Sequence, residues 1–143
     1  MNYVLKIAGI HFDTLHDHLY PGDGLEAVSI ALCSRFCSDE STYFFVQKVQ
    51  NIPYEDCTIR ENGFLYWKTQ IILPLLIEAE KKNLSVMKIH SHPTGYSQFS
   101  ETDNNSDLDL FRSVLGWTQN VDYHLSCIML PDGKIFGRII NEK

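Results

Sequence analysis

The 143-residue chain has 44% hydrophobic and 21% charged residues, with no low-complexity tract or internal repeat, so disorder is excluded and one domain (1–143) with a real core is expected. A formal net charge of −6 without a Lys/Arg stripe argues against nucleic acid, whose phosphates need clustered cations, and leaves partners with neutral or basic faces. The longest apolar run, Ile71 to Ile77, falls far short of the roughly 20 residues that cross a bilayer.

Residues 2–10 alternate enough to predict a strand, and the N-terminus lacks a signal peptide's apolar core and cleavage site, so a cytoplasmic protein is expected. In that reducing setting Cys33, Cys37, Cys57 and Cys127 read as thiols rather than disulfides. Gly22-Asp23-Gly24 opens an apolar run at 25–35 that predicts a helix capped by Asp23. The aromatic and β-branched stretch 42–49 predicts a strand ended by Ile52-Pro53, and a hairpin follows over 57–67 with Asn62-Gly63 as its turn. At 69–83 the spacing of Ile72, Leu75, Leu76 and Ala79 predicts a helix. A strand at 85–90 leads into a polar loop, 92–100, before a helical pattern resumes at 103–115. Pro131-Asp132-Gly133 between two apolar runs predicts a closing hairpin, 124–130 with 134–140. Mixed strands and helices without strict alternation favour an α+β fold, a mixed β-sheet flanked by helices.

The chemistry concentrates in one stretch, from His90 to Asp103. Two histidines at i and i+2 project to the same side of an extended chain, so both imidazoles can reach one ion. Pro93 breaks the strand, and a glycine-containing loop returns Ser100, a natural helix N-cap, and Asp103, which would lie in the first helical turn. Two neutral nitrogens and one carboxylate, with a position left for water, form the open tetrahedral set of a catalytic zinc. Each residue alone has a plain structural reading: a strand-end histidine pair, a cap, a helix-dipole acid. Together, at these offsets, they should arise by chance in on the order of one such chain in several thousand. The remaining histidines, His11, His16, His18 and His124, have no such support and read as structural.

His90-Ser91-His92-Pro93, followed at fixed spacing by Ser100 and Asp103, resembles the JAMM (JAB/MPN) zinc metallopeptidase family. That resemblance adds an upstream glutamate, which Glu26 in Glu26-Ala27-Val28-Ser29-Ile30 matches; by itself Glu26 is an ordinary acidic residue near a helix start. Ser29 and Ser34 stand where the family often has glycine. The wider string from His18 to Val28 is similar to bacterial JAB proteins that accompany E1-like and E2-like proteins in ubiquitin-like conjugation and antiviral operons. The resemblance spans His18 to Asp103.

The resemblance implies a Zn2+ centre held by His90, His92 and Asp103, where the pKa of bound water falls to near ~7. It makes Glu26 the general base and then acid, and Ser100 the donor to the developing oxyanion. The implied substrate is the C-terminal tail of a ubiquitin-like protein, cleaved at an amide or isopeptide bond, the tail adding alongside a strand near the zinc. Phe99, Phe44 or Tyr96 could shape that groove, although core is the better reading for Phe44. Two alternatives stay open: a peptidase maturing a sulfur-carrier protein, with identical zinc chemistry, and a metal-free MPN scaffold.

Overall fold

In the computed structural model, which describes residues 1–141, eight strands and three helices form one mixed α+β unit. The strands are β1 (Asn2–Lys6), β2 (Val28–Cys37), β3 (Ser41–Asn51), β4 (Cys57–Arg60), β5 (Leu65–Trp67), β6 (Ser85–Ser91), β7 (His124–Met129) and β8 (Ile135–Ile140). The helices are α1 (Gly9–Leu19), α2 (Leu73–Lys82) and α3 (Glu101–Trp117). Six strands make one sheet in the order β1-β3-β2-β6-β7-β8, and β4 with β5 makes a separate hairpin. The predicted domain span of 1–143 runs two residues beyond the described ones. No helix among the described residues is long and apolar enough to cross a membrane.

The sheet's centre explains one error of the sequence reading. The apolar run predicted as a helix at 25–35 is β2, paired with β3 on one side and β6 on the other. Val28, Ile30 and Leu32 pack with α2 and α3, whereas Ala31 and Cys33 pack with the α1 side. A strand covered on both faces needs apolar residues at every position, so its run carries no alternation to betray it. Asp23 consequently caps no helix; its carboxylate accepts the Leu25 N–H and pairs with Arg60. Ser29 is fully buried and donates to the Asn51 side chain at 2.7 Å.

The strand predicted over 2–10 stops at Lys6, and α1 begins at Gly9. That helix has no side-chain cap at Ala8 and seats only Leu15 and Leu19 fully in the core, so neither a cap residue nor a wide apolar stripe marked it. At 69–83 the predicted helix begins as a 3-10 turn, Thr69–Ile72, before α2. It ends where Asn83 takes a left-handed φ of 55° that frees its N–H to reach the last carbonyls. The other predicted strands, the Cys57–Trp67 hairpin and the closing hairpin appear within a few residues of their expected bounds. All four cysteines are free thiols, Cys33 and Cys127 buried in the core.

Candidate metal centre

Strand β6 is buried along its whole length, and its alternation sends Val86, Lys88 and His90 toward α3 while Met87 and Ile89 enter the α1-side core. His92 follows in register just past the strand end, its N–H held by the Met129 carbonyl of β7. The loop then turns back, and Ser100 caps α3 with a reciprocal capping box: the Ser100 hydroxyl accepts from the Asp103 N–H, and the Asp103 carboxylate accepts from the Ser100 N–H. The cap that starts the helix thereby aims the Asp103 carboxylate back at the two histidines.

His90 Nε2 and His92 Nε2 lie 3.1 Å apart. Asp103 Oδ1 is 2.9 Å from the first and Oδ2 is 3.0 Å from the second. All three side chains are buried, and among the described residues they form the one group of three or more His, Cys, Asp or Glu that could hold a metal ion. A zinc tetrahedron with bonds of ~2.05 Å has ligand-to-ligand edges of about 3.3 Å, so these donors need only small outward shifts to share an ion.

The tautomer of His92 fits as well. His92 Nδ1 lies 2.7 Å from the Tyr96 carbonyl oxygen, which can only accept, so Nδ1 carries the hydrogen and the neutral ring presents its Nε2 lone pair to the cluster. Burial opposes charge on His92, but Asp103 and the Tyr96 carbonyl outweigh it and raise its pKa. Burial lowers the pKa of His90 despite Asp103 beside it. Burial also works against ionised Asp103, yet the two histidines against it, His90 first, prevail and hold it far below the ordinary carboxylate range. The cluster therefore keeps its carboxylate ionised at any ordinary pH.

Glu26 sits on the extended segment just before β2, not on a helix. Its N–H donates to the Glu61 carbonyl of the β4–β5 hairpin at 2.7 Å, and Ala27 beside it is held from both directions by Ser91. The Glu26 side chain is 5% exposed and shares a pocket of about 10 Å³ with Leu65, Trp67, Lys88, His90, Thr102, Asp103 and Ser106. Burial pushes its carboxyl up to about 7, Asp103 adding to the rise while His92 and Lys88 oppose it. A carboxyl poised there can both accept and return a proton near neutral pH.

The five residues read from sequence thus meet in one place: His90, His92 and Asp103 as mutual neighbours, Ser100 at the helix cap, and Glu26 in the adjoining pocket. Phe44 is core, fully buried. Phe99 lies under the Arg138 guanidinium at 3.8 Å and edge-on to Phe136, and Tyr96 is exposed. The sequence reading missed Ser91, Lys88 and the hairpin residues Leu65 and Trp67. A lysine two residues before His90 in an otherwise apolar strand was the available signal for Lys88; Leu65 and Trp67 had none, because their role depends on where the hairpin folds. His18 and His124 are structural: His18 stacks on Tyr54 at 4.6 Å, and His124 accepts the Val86 N–H at 2.9 Å.

A family model described as prokaryotic homologs of the JAB domain matches residues 10–132. The chain belongs to this prokaryotic JAB family. No curated protein sequence matches it. Among solved structures, the chain is similar to protein DSY2949 from Desulfitobacterium hafniense, with a TM-score of 0.53 and 13% identity over 98% of this chain and 84% of that one. At that identity the likeness speaks to fold alone. The JAB family includes metallopeptidases, and in this member His90, His92 and Asp103 lie close enough together that they could hold a metal ion.

Proposed function

We propose that this JAB domain is a zinc-dependent peptidase that cleaves an amide or isopeptide bond at the C-terminal tail of a ubiquitin-like protein, in a pathway that includes E1-like and E2-like partners. The observation that carries the reading is the convergence of His90, His92 and Asp103, donor atoms 2.9–3.1 Å apart, beside a buried Glu26 whose carboxyl is raised to about 7. Bound zinc supplies Lewis acidity and a water acidic enough to ionise near neutral pH.

The chain's own groups do the rest. Glu26 takes the proton of the attacking water and returns it to the departing amine, which for an isopeptide is a lysine side chain. Ser100 Oγ accepts from the Asp103 N–H, so its own proton is free to donate to the oxygen of the scissile carbonyl as charge develops there. The pocket at Glu26, about 10 Å³, is too small for a peptide. A substrate chain instead fits the adjoining groove of about 400 Å³ between Phe64–Gln70 and Thr102, Asn105, Ser106 and Asp109 on α3. The outer edge of β5 has no ladder partner in the sheets described, so an extended tail can pair with it as an added strand.

The test is incubation of the zinc-loaded protein with ubiquitin-like proteins carrying a C-terminal amide extension or a lysine isopeptide, followed by mass spectrometry. Release of the amine partner, leaving the ubiquitin-like protein with its tail intact and a free C-terminal carboxylate, is expected and is absent in Glu26→Gln. Cleavage of sulfur-carrier proteins alone would reassign the substrate, and no cleavage of either class by the zinc-loaded protein would count against the peptidase reading.

A further inference from the structure

Strand β6 and helix α3 meet through two rungs, not one. Lys88 precedes His90 by two residues, the period of a strand, and Asp107 follows Asp103 by four, about one helical turn, so each pair lies on one face of its element. The first rung is His90 Nε2 to Asp103 Oδ1 at 2.9 Å, and the second is Lys88 Nζ to Asp107 Oδ1 at 2.7 Å. Lys88 is 3% and Asp107 4% exposed. Lys88 also donates to Ser106 Oγ at 3.1 Å.

The second rung is tied further from β8. Arg138 Nη2 donates to Asp107 Oδ2 and Nη1 to Asn104 Oδ1, both at 2.8 Å, while the guanidinium covers the Phe99 ring of the loop before Ser100. A buried ion pair is weak evidence for stability, because well-packed apolar residues of similar volume often serve as well or better; its attested use is to specify register. If α3 slid or turned against β6, Asp107 would lose both cations at once, and Asp103 would move off His90 in the same motion.

We infer that the Lys88–Asp107 ion pair, braced by Arg138, is a register lock that holds the Asp103 carboxylate against His90 and His92, making Lys88 and Asp107 positioning residues of the metal centre. The metal half of this inference rests on the zinc reading above; the hydrogen-bond half does not.

The variant to make is Lys88→Met/Asp107→Leu, which replaces the charged pair with apolar side chains and leaves every proposed ligand in place. Two readouts apply to it: cobalt(II) titration followed by its visible absorption, and 15N NMR of the imidazoles in the metal-free protein, which reports the His90–Asp103 hydrogen bond. The lock predicts a folded variant whose cobalt affinity falls about 10- to 100-fold, the size usual for outer partners of a metal site, with an altered absorption envelope and a lost His90–Asp103 bond. A folded variant with unchanged affinity, spectrum and His90 resonance would overturn it. Should the double variant fail to fold, Asp107→Asn, which keeps size and an acceptor but removes the charge, is judged by the same two assays. If the wild type takes up no cobalt, the zinc-peptidase reading falls, and the NMR comparison alone still decides for or against the lock.

Discussion

The hydroxyl of Ser91 accepts the backbone N–H of Ala27 at 3.0 Å, and the Ser91 N–H donates to the Ala27 carbonyl at 3.1 Å. The residue between the two histidines is thus clasped to the residue after Glu26, which ties the strand that carries His90 to the segment that carries Glu26. Both residues are fully buried, so Ser91→Ala leaves the Ala27 N–H without its acceptor and should cost about 1–3 kcal/mol of stability. Urea unfolding should show a lower midpoint with an unchanged slope, and zinc content should stay near that of the wild type.

Glu26 carries a second consequence of its burial. An acid whose folded pKa is raised, here to about 7, binds more protons folded than unfolded between its ordinary value and that one, so stability falls as pH rises across the window. Glu26→Gln removes the effect. In metal-free protein at pH 8 the variant should be more stable than the wild type by on the order of 3 kcal/mol, with no difference at pH 4. Zinc binding should survive, and turnover should be lost; full activity in this variant would remove Glu26 as the base.

His124 gives the opposite slope. It is fully buried, accepts the Val86 N–H and pairs with Thr118, and burial lowers its pKa to about 4. The folded state keeps it neutral while the unfolded chain protonates it below about 6.5. Stability from this residue is therefore complete above about 6.5 and lost as pH falls to about 4, a change on the order of 3 kcal/mol. His18, whose pKa burial also lowers, adds a slope of the same sign. His124→Asn, which retains an acceptor for Val86, should flatten the melting-temperature profile between pH 6.5 and 4.

Ser100 serves two ends. As the cap of α3 it accepts from the Asp103 N–H, and Ser100→Ala should cost about 1 kcal/mol of stability. As an oxyanion donor its loss should lower kcat by a further factor of about 100, with KM little changed. A variant with reduced stability and undiminished kcat would leave Ser100 a cap alone.

The site was legible in the sequence because its key residues crowd into fourteen positions, His90 to Asp103, where strand period, Pro93 and the Ser100 cap fix the geometry locally. Glu26 lies 64 residues before His90, and only resemblance connected the two. The error at 25–35 came from a strand buried on both faces, and α1 was missed because its histidines and aspartates left a narrow apolar stripe. The Lys88–Asp107 pair was invisible for a different reason: a charge in an apolar strand announces that a partner exists without saying which helix position supplies it.

The central claim is tested most directly by zinc content, measured by elemental analysis of the purified protein and of the His90→Ala/His92→Ala variant. About one zinc per chain, lost in the variant, is the expected result. No zinc after incubation with excess metal, or zinc that persists when both histidines are gone, would contradict it.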